Sequence, residues 1–160
     1  MKNSCLKNHG KIEIVYYKSP IGTLKITHDR KNIYSLKKVD EKFIETTDCE
    51  LSLKIKNQLD EYFIGKRKHF NIPYVLIGTE FQKKIWQILM QIPYGETRFY
   101  KDIAIMAGNE QASRAVGMAN NKNPIMIIIP CHRVVGSSGK LVGYSGGLDM
   151  KKELLQLEKA

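Results

Sequence analysis

Cys131 is followed at once by His132 and Arg133. Sulfur attacks as thiolate, and thiolate is favoured where cationic or proton-accepting groups stand near it. Neighbouring side chains in a chain need not touch, so His132 is expected to reach the sulfur through a water or a bend. Residues 125–129 are a continuous apolar run, too short for an ordinary helix, and read as a buried extended segment. Pro130 holds Ile129 extended and ends any pairing there. A thiol placed where such a segment ends in a turn is held firmly and can face a cavity. The other cysteines, Cys5 and Cys49, have no such company and read as a terminal thiol and a helix-start filler. An odd number of widely spaced cysteines with no CxxC excludes a zinc ribbon and a thioredoxin-type site, and fits a reducing compartment. His9, His28 and His69 stand among polar residues and are expected to be solvated.

The elements that position this segment read as two halves. Residues 12–17 and 24–27 are β-favouring runs around the turn signal Ser19-Pro20-Ile21-Gly22, and residues 33–36 form a third. From Cys49 the period becomes helical through Ile55, Leu59, Tyr62 and Phe63, with Gly65 as the stop. Thr79 and Gln82 form a capping box for a helix with the stripe Phe81, Ile85, Ile88, Leu89, Ile92. Residues 100–106 predict a short helix, Gly108 a turn, and Asn109 the cap of a third helix to about Asn120. In that helix Ala112, Ala115, Val116 and Ala119 form a small-residue stripe, while Arg114, Gly117 and Asn121 point away. Helix, glycine turn and second helix outline a helix-turn-helix. Gly136-Ser137-Ser138-Gly139 predicts a hairpin between residues 134–135 and 140–142. The loop Gly143-Tyr144-Ser145-Gly146-Gly147 can line a cavity with backbone donors, and lacks the Lys-Ser/Thr ending of a phosphate loop. A last helix carries Met150, Leu154 and Leu157 on one face, with Glu158 beside it.

The 160 residues carry 26 Lys and Arg against 16 Asp and Glu, a net charge of +10. A polyanion is a reasonable partner. The excess is spread over both halves, so a nucleic-acid surface has to come from folding. No apolar run approaches membrane-spanning length, and the start of the chain lacks the apolar core of a signal peptide. A cytoplasmic protein is expected, nucleoid-associated in a prokaryote.

Pro130-Cys131-His132-Arg133-Val134, preceded by Asn123-Pro124 and followed by Gly143-Tyr144-Ser145-Gly146-Gly147, resembles the active-site signature of the O6-alkylguanine-DNA alkyltransferases, the methylated-DNA–protein-cysteine methyltransferases. The resemblance runs from about Phe81 to Glu158, and Ser19-Pro20-Ile21-Gly22 is similar to the start of the family's N-terminal domain. It implies an α/β, ribonuclease-H-like N-terminal domain over residues 1–77. A mostly helical C-terminal domain with a winged helix-turn-helix would follow over residues 78–160. It implies stoichiometric transfer of a methyl or alkyl group from O6-alkylguanine in double-stranded DNA to Cys131, by minor-groove binding and base flipping, with O4-alkylthymine a further substrate left open. It also implies roles: Cys131 as acceptor, His132 as its water-mediated base, Glu158 as the carboxylate orienting His132, and Asn123 as the brace of the turn. Tyr100 would crowd the target phosphate and bond the flipped base, and Arg114 would fill the vacated stack. Val134 and Ser145 would make backbone contacts to the guanine, with Tyr144 as the pocket wall. Gly117 lets the helix approach the groove. No cofactor, no metal and no protein partner are implied, and a monomer is expected.

Two departures stand out. Asn120-Asn121-Lys122 lacks the Met-Arg pair of some relatives, and the positions matching the N-terminal zinc ligands of some relatives are not a Cys/His set. A non-transferring binder of alkylated DNA is the alternative; such alkyltransferase-like proteins replace the acceptor cysteine, and Cys131 is present. A transcription factor leaves the Cys-His-Arg turn unexplained. A cysteine hydrolase needs a water path to an acyl intermediate, against which the motif's surroundings speak.

Overall fold

The computed structural model describes residues 10–159; Cys5 and His9 lie outside the described residues. Strands β1 (Glu13–Ser19), β2 (Gly22–His28) and β3 (Ile33–Lys38) form an antiparallel sheet in the order β1-β2-β3. The first turn is closed by Ser19, whose Oγ accepts from the Ile21 N–H and donates to the Gly22 carbonyl. Gly22 takes φ +117°, open to glycine at little cost. Alternate residues Val15, Tyr17, Leu24 and Ile26 are buried, joining Ile55, Leu59 and Tyr62 of helix α1 (Glu50–Phe63) in one core. Gly65 stops α1 in the left-handed region, as expected.

The bridge between the halves is strapped to the sheet. The Ile33 N–H bonds the Pro73 carbonyl, and the Val75 N–H bonds the Ile33 carbonyl. Further along β3, the Leu36 N–H bonds the Pro124 carbonyl and the Met126 N–H bonds the Leu36 carbonyl. One strand edge thus holds both the bridge and the segment leading to Cys131. The hydrophobic core runs unbroken from Val15 to Leu154.

Helix α2 (Glu80–Leu89) starts with the expected box, Thr79 Oγ1 accepting from the Gln82 N–H and Gln82 Oε1 from the Thr79 N–H. Its stripe differs at two places. Phe81 is exposed, and Trp86 takes the buried place, donating Nε1–H to the Ala119 carbonyl at 2.9 Å. A short strand β4 (Arg98–Phe99) leads into α3 (Tyr100–Met106) and the Gly108 turn. Asn109 caps a 3₁₀ turn, Glu110–Ala112, and only then does α4 (Ser113–Asn121) begin. The face that α4 turns to the core is Val116, Ala119 and Asn120, and Ala115 falls outside that arc. Val116 and Ala119 stay buried, while Ala115 is turned out to solvent.

After the Cys131 turn, β5 (Val134–Val135) pairs with β4 in parallel, not with residues 140–142 as expected. Positive φ at both Ser138 and Gly139 and a 3₁₀ turn over Ser137–Gly139 leave the wing two short-range backbone bonds, from the Gly136 N–H to the Lys140 carbonyl and from the Gly139 N–H to the Gly136 carbonyl. The chain closes with α5 (Leu148–Lys159). Among the described residues no helix is long and apolar enough to cross a membrane.

Candidate active site and nucleic-acid interface

The approach to Cys131 is a tight turn, not the extended run its composition suggests. Asn123 staples it: Oδ1 accepts from the Ile125 N–H at 3.0 Å and Nδ2 donates to the Ile129 carbonyl at 2.8 Å. The Ile129 N–H returns to the Ile125 carbonyl, which forces Ile127 to φ +71°. A β-branched residue held there costs of order 1–3 kcal/mol. The turn persists because Asn123 and the surrounding core over-determine it. A 3₁₀ turn, Cys131–Arg133, then makes the three side chains diverge. Asn120, which no motif singles out, donates to the Cys131 carbonyl at 3.3 Å.

Behind the thiol stands a buried charge network. His132 Nε2 lies 2.7 Å from Glu158 Oε1. Arg133 grips the same carboxylate with Nε and Nη2, both at 2.9 Å, and donates Nη1–H to the Ile92 carbonyl. Burial pushes the Glu158 carboxyl up, but the hydrogen bonds from His132 and Arg133 outweigh it and hold it at about 2. Burial lowers His132 despite that carboxylate, so the ring is neutral, with Nε2–H facing Glu158. Its Nδ1 is then a buried lone pair with no protein partner. Cys131 makes no hydrogen bond to His132 among the described residues. The sulfur's residue is only 1% exposed. Burial pushes the thiol to about 11, against the Asn123 amide, the Lys151 ammonium and the Tyr144 hydroxyl, which pull it down.

Lys151 is the member that sequence reasoning missed. It is fully buried, donates to the Val142 carbonyl at 3.0 Å, and stands 5.9 Å from the ring centroids of Tyr100 and Tyr144. Burial lowers it to about 8, although Cys131 acts to raise it. Its spacing was a usable signal: seven residues before Glu158, it lies on the same face of α5. Arg133, expected as a cationic neighbour of the thiol, turns instead onto Glu158.

On the other side of Tyr100 lies a groove of about 340 Å³ lined by Tyr100, Ser113, Arg114, Gly117, Val142 and Gly143, among others. Arg114 is exposed and makes no ion pair among the described residues. A Cβ on Gly117 would stand 3.8 Å from the Tyr100 ring, an ordinary contact, so internal packing does not demand glycine there. Tyr100 donates its hydroxyl to the Val142 carbonyl at 3.1 Å, and its ionisation feels both burial and Cys131. Val134 and Tyr144 are buried beside the thiol loop, while Ser145 is exposed. The selected residues therefore gather in two adjoining places: Cys131, His132, Glu158, Asn123, Val134 and Tyr144 inside, Arg114 and Gly117 outside, with Tyr100 between them.

His28 is not solvated, in contrast to His69, which is exposed. It is buried at the end of β2, where its ligand atoms gather with those of Glu13 and Cys49 within 4.8 Å. Such a trio suits a metal ion by type. However, His28 Nδ1 accepts the Arg30 N–H at 3.1 Å, which leaves the ring proton on Nε2. While that contact is kept, neither nitrogen offers a free lone pair. The trio does not fit a metal ion as it stands.

A helix-turn-helix whose exposed arginine lines a groove beside Tyr100, with a buried thiol and a histidine–carboxylate pair on the other side of that tyrosine, is the arrangement of a protein that binds nucleic acid in order to react with it. The comparisons with known proteins agree. The family described as "6-O-methylguanine DNA methyltransferase, ribonuclease-like domain" matches residues 14–76, and its companion "DNA binding domain" matches residues 80–160. The methylated-DNA–protein-cysteine methyltransferase of Methanosarcina acetivorans is 48% identical over 89% of this chain and 95% of its own length. That of Mycobacterium leprae is 47% identical, covering 88% of each chain. The crystal structure of Mycobacterium tuberculosis O6-methylguanine methyltransferase superposes with a TM-score of 0.85 at 42% identity, over 93% of both chains. A Mycobacterium tuberculosis structure in complex with DNA gives 0.84 at 43% identity, over 91% of this chain and 92% of that one. The chain belongs to the methylated-DNA–protein-cysteine methyltransferase family.

Proposed function

We propose that this protein repairs DNA by moving a methyl or small alkyl group from O6 of guanine in duplex DNA onto Cys131, once per molecule, without cofactor or metal. The observation that carries this reading is the buried thiol beside neutral His132 and its Glu158 carboxylate, with the Arg114 groove on the other side of Tyr100. A water between Sγ and His132 Nδ1 passes the thiol proton to the imidazole, and Glu158 balances the charge that forms. The thiolate attacks the alkyl carbon, the carbon–oxygen bond breaks, and its electron pair enters the guanine ring. The proton returns to that ring, so guanine leaves neutral and sulfur keeps the alkyl group as a thioether, which no nearby water hydrolyses. Asn123 holds the turn. The Tyr144 side chain walls the cavity, and Val134 and Ser145 present backbone groups to the base.

The alkyl group of a stacked guanine is out of reach, so the nucleotide has to be extruded at a cost of a few kcal/mol. Arg114 fills the gap, Tyr100 stands where the base passes, and Gly117 keeps the helix surface low enough for close approach. Residues 1–77 and 78–160 are read as the two domains, and the protein as a cytoplasmic monomer. Mixing the protein with a methylated oligonucleotide and measuring its intact mass tests the reading. One added methylene per chain, mapping to Cys131, is expected; turnover beyond one equivalent, or a different acceptor, overturns it. Arg114→Ala is expected to slow repair in duplex DNA at least tenfold and to leave transfer from free O6-benzylguanine nearly unchanged. Single-turnover rates on both substrates check this, and equal slowing would place Arg114 inside the pocket.

A further inference from the structure

The carboxylate behind His132 has a donor that the reaction described above does not use. Tyr62, in the last turn of α1 and so in the first half of the chain, is completely buried and donates its hydroxyl to Glu158 Oε1 at 2.8 Å. This is the same oxygen that faces His132 Nε2 and Arg133 Nη2. The ring is fixed by aromatic contacts to Phe63 and Phe70 at 5.4 Å and to Tyr94 at 6.2 Å. The hydroxyl therefore has one place to point.

We propose that Tyr62 is a positioning residue of the alkyl-transfer centre, a member of the relay supplied by the ribonuclease-like part of the chain, acting on Cys131 through Glu158 and His132. The proposal rests on the alkyl-transfer reading. Three donors share Oε1, and each one takes up part of its negative charge. What is left determines how strongly the carboxylate holds a proton on the imidazole. Withdrawing the Tyr62 hydroxyl leaves more charge for His132 and makes the ring more basic; strengthening the hydroxyl as a donor does the reverse. The other groups facing this cluster are Arg133 from the Cys131 turn, Tyr94 and the Gly95 N–H from the loop before β4, and Lys151 from α5, with Lys68 over the Tyr94 ring and Tyr144 beside the thiol. None of them touches Oε1 except Arg133.

The test compares the full-length protein with Tyr62→Phe and with 3-fluorotyrosine at position 62, a stronger donor of nearly the same shape. The rate of Cys131 alkylation by free O6-benzylguanine is followed against pH, and the His132 ring is titrated by nuclear magnetic resonance. In Tyr62→Phe the acid limb of the rate profile and the His132 titration are expected to move up by about half a pH unit to one unit. In the fluorotyrosine protein both are expected to move down. A purely structural role would change thermal stability and leave both curves in place. Curves coinciding with the unaltered protein in both variants overturn the proposal. Wild-type protein that takes up no benzyl group would instead count against the alkyl-transfer reading, and the His132 titration would still decide the role of Tyr62.

Discussion

Replacing Lys151 by Met is expected to raise the stability of the protein while slowing alkyl transfer. The ammonium is buried, and its pKa falls from 10.5 to about 8. The folded state thus binds fewer protons than the unfolded state between these two values. By linkage, stability rises with pH across that window, and below about pH 8 the protein bears the full cost of the buried charge. That cost is of order 3 kcal/mol. Methionine keeps an unbranched apolar stem and removes the charge. The Val142 carbonyl, which loses the Lys151 donor, keeps the Tyr100 hydroxyl. A gain of roughly 2–3 kcal/mol at neutral pH is expected, which corresponds to about 4–12 °C in Tm for a chain of this size. Lys151 also pulls down a thiol that burial has pushed to about 11. Without it the thiolate becomes scarcer, and Cys131 alkylation by free O6-benzylguanine at neutral pH is expected to fall about tenfold, the equivalent of one pKa unit. Thermal unfolding and single-turnover alkylation, measured on the same preparation, check both signs. Destabilisation with an unchanged rate would show that Lys151 serves packing alone.

Glu158→Gln is expected to damage both properties. It leaves Arg133 buried without its counter-charge, a loss of the kind that costs about 3–5 kcal/mol. It also removes the negative charge facing His132 Nε2, so the imidazole is a poorer acceptor for the thiol proton. Cys131 should react more slowly with thiol reagents near neutral pH. The pH dependence carries a separate signature. The folded pKa of Glu158 is depressed from 4.5 to about 2. Its contribution is therefore fully present above the unfolded value and is lost as pH falls from about 4.5 toward 2, a loss of about 3 kcal/mol. Burial of neutral His132 adds to the acid sensitivity, beginning below its unfolded value of 6.5. Denaturant unfolding from pH 6 to pH 2 should show the Glu158 step in the unaltered protein and not in the variant. A step of equal size in both would assign the acid sensitivity to other carboxylates.

Local chemistry was largely legible. The capping box at Thr79 and Gln82, the stops at Gly65 and Gly108, and the first hairpin each depend on a few adjacent residues, and the structure has them where the sequence places them. The errors came from contacts between distant segments. Residues 125–129 look like a strand because their composition is that of one, but the Asn123 side chain competes for their backbone and folds them into a turn. Residues 134–135 pair with β4, some 36 residues earlier in the chain, which no local signal announces. His28 is buried beside Glu13 of β1 and Cys49 at the start of α1, a meeting that no spacing announces.

The reacting groups divide along the same line. Residue types and order along the chain determined the nucleophile, its flanking imidazole and the arginine-bearing helix, since each is local or sits at a fixed helical offset. The resemblance already paired Glu158 with His132, 26 residues before it; tertiary structure alone decided that Lys151 is drawn inward and that Tyr62 crosses 96 residues to the same oxygen. A buried carboxylate collects whatever donors the packed core brings within reach, and which donors those are follows from how helices and strands meet.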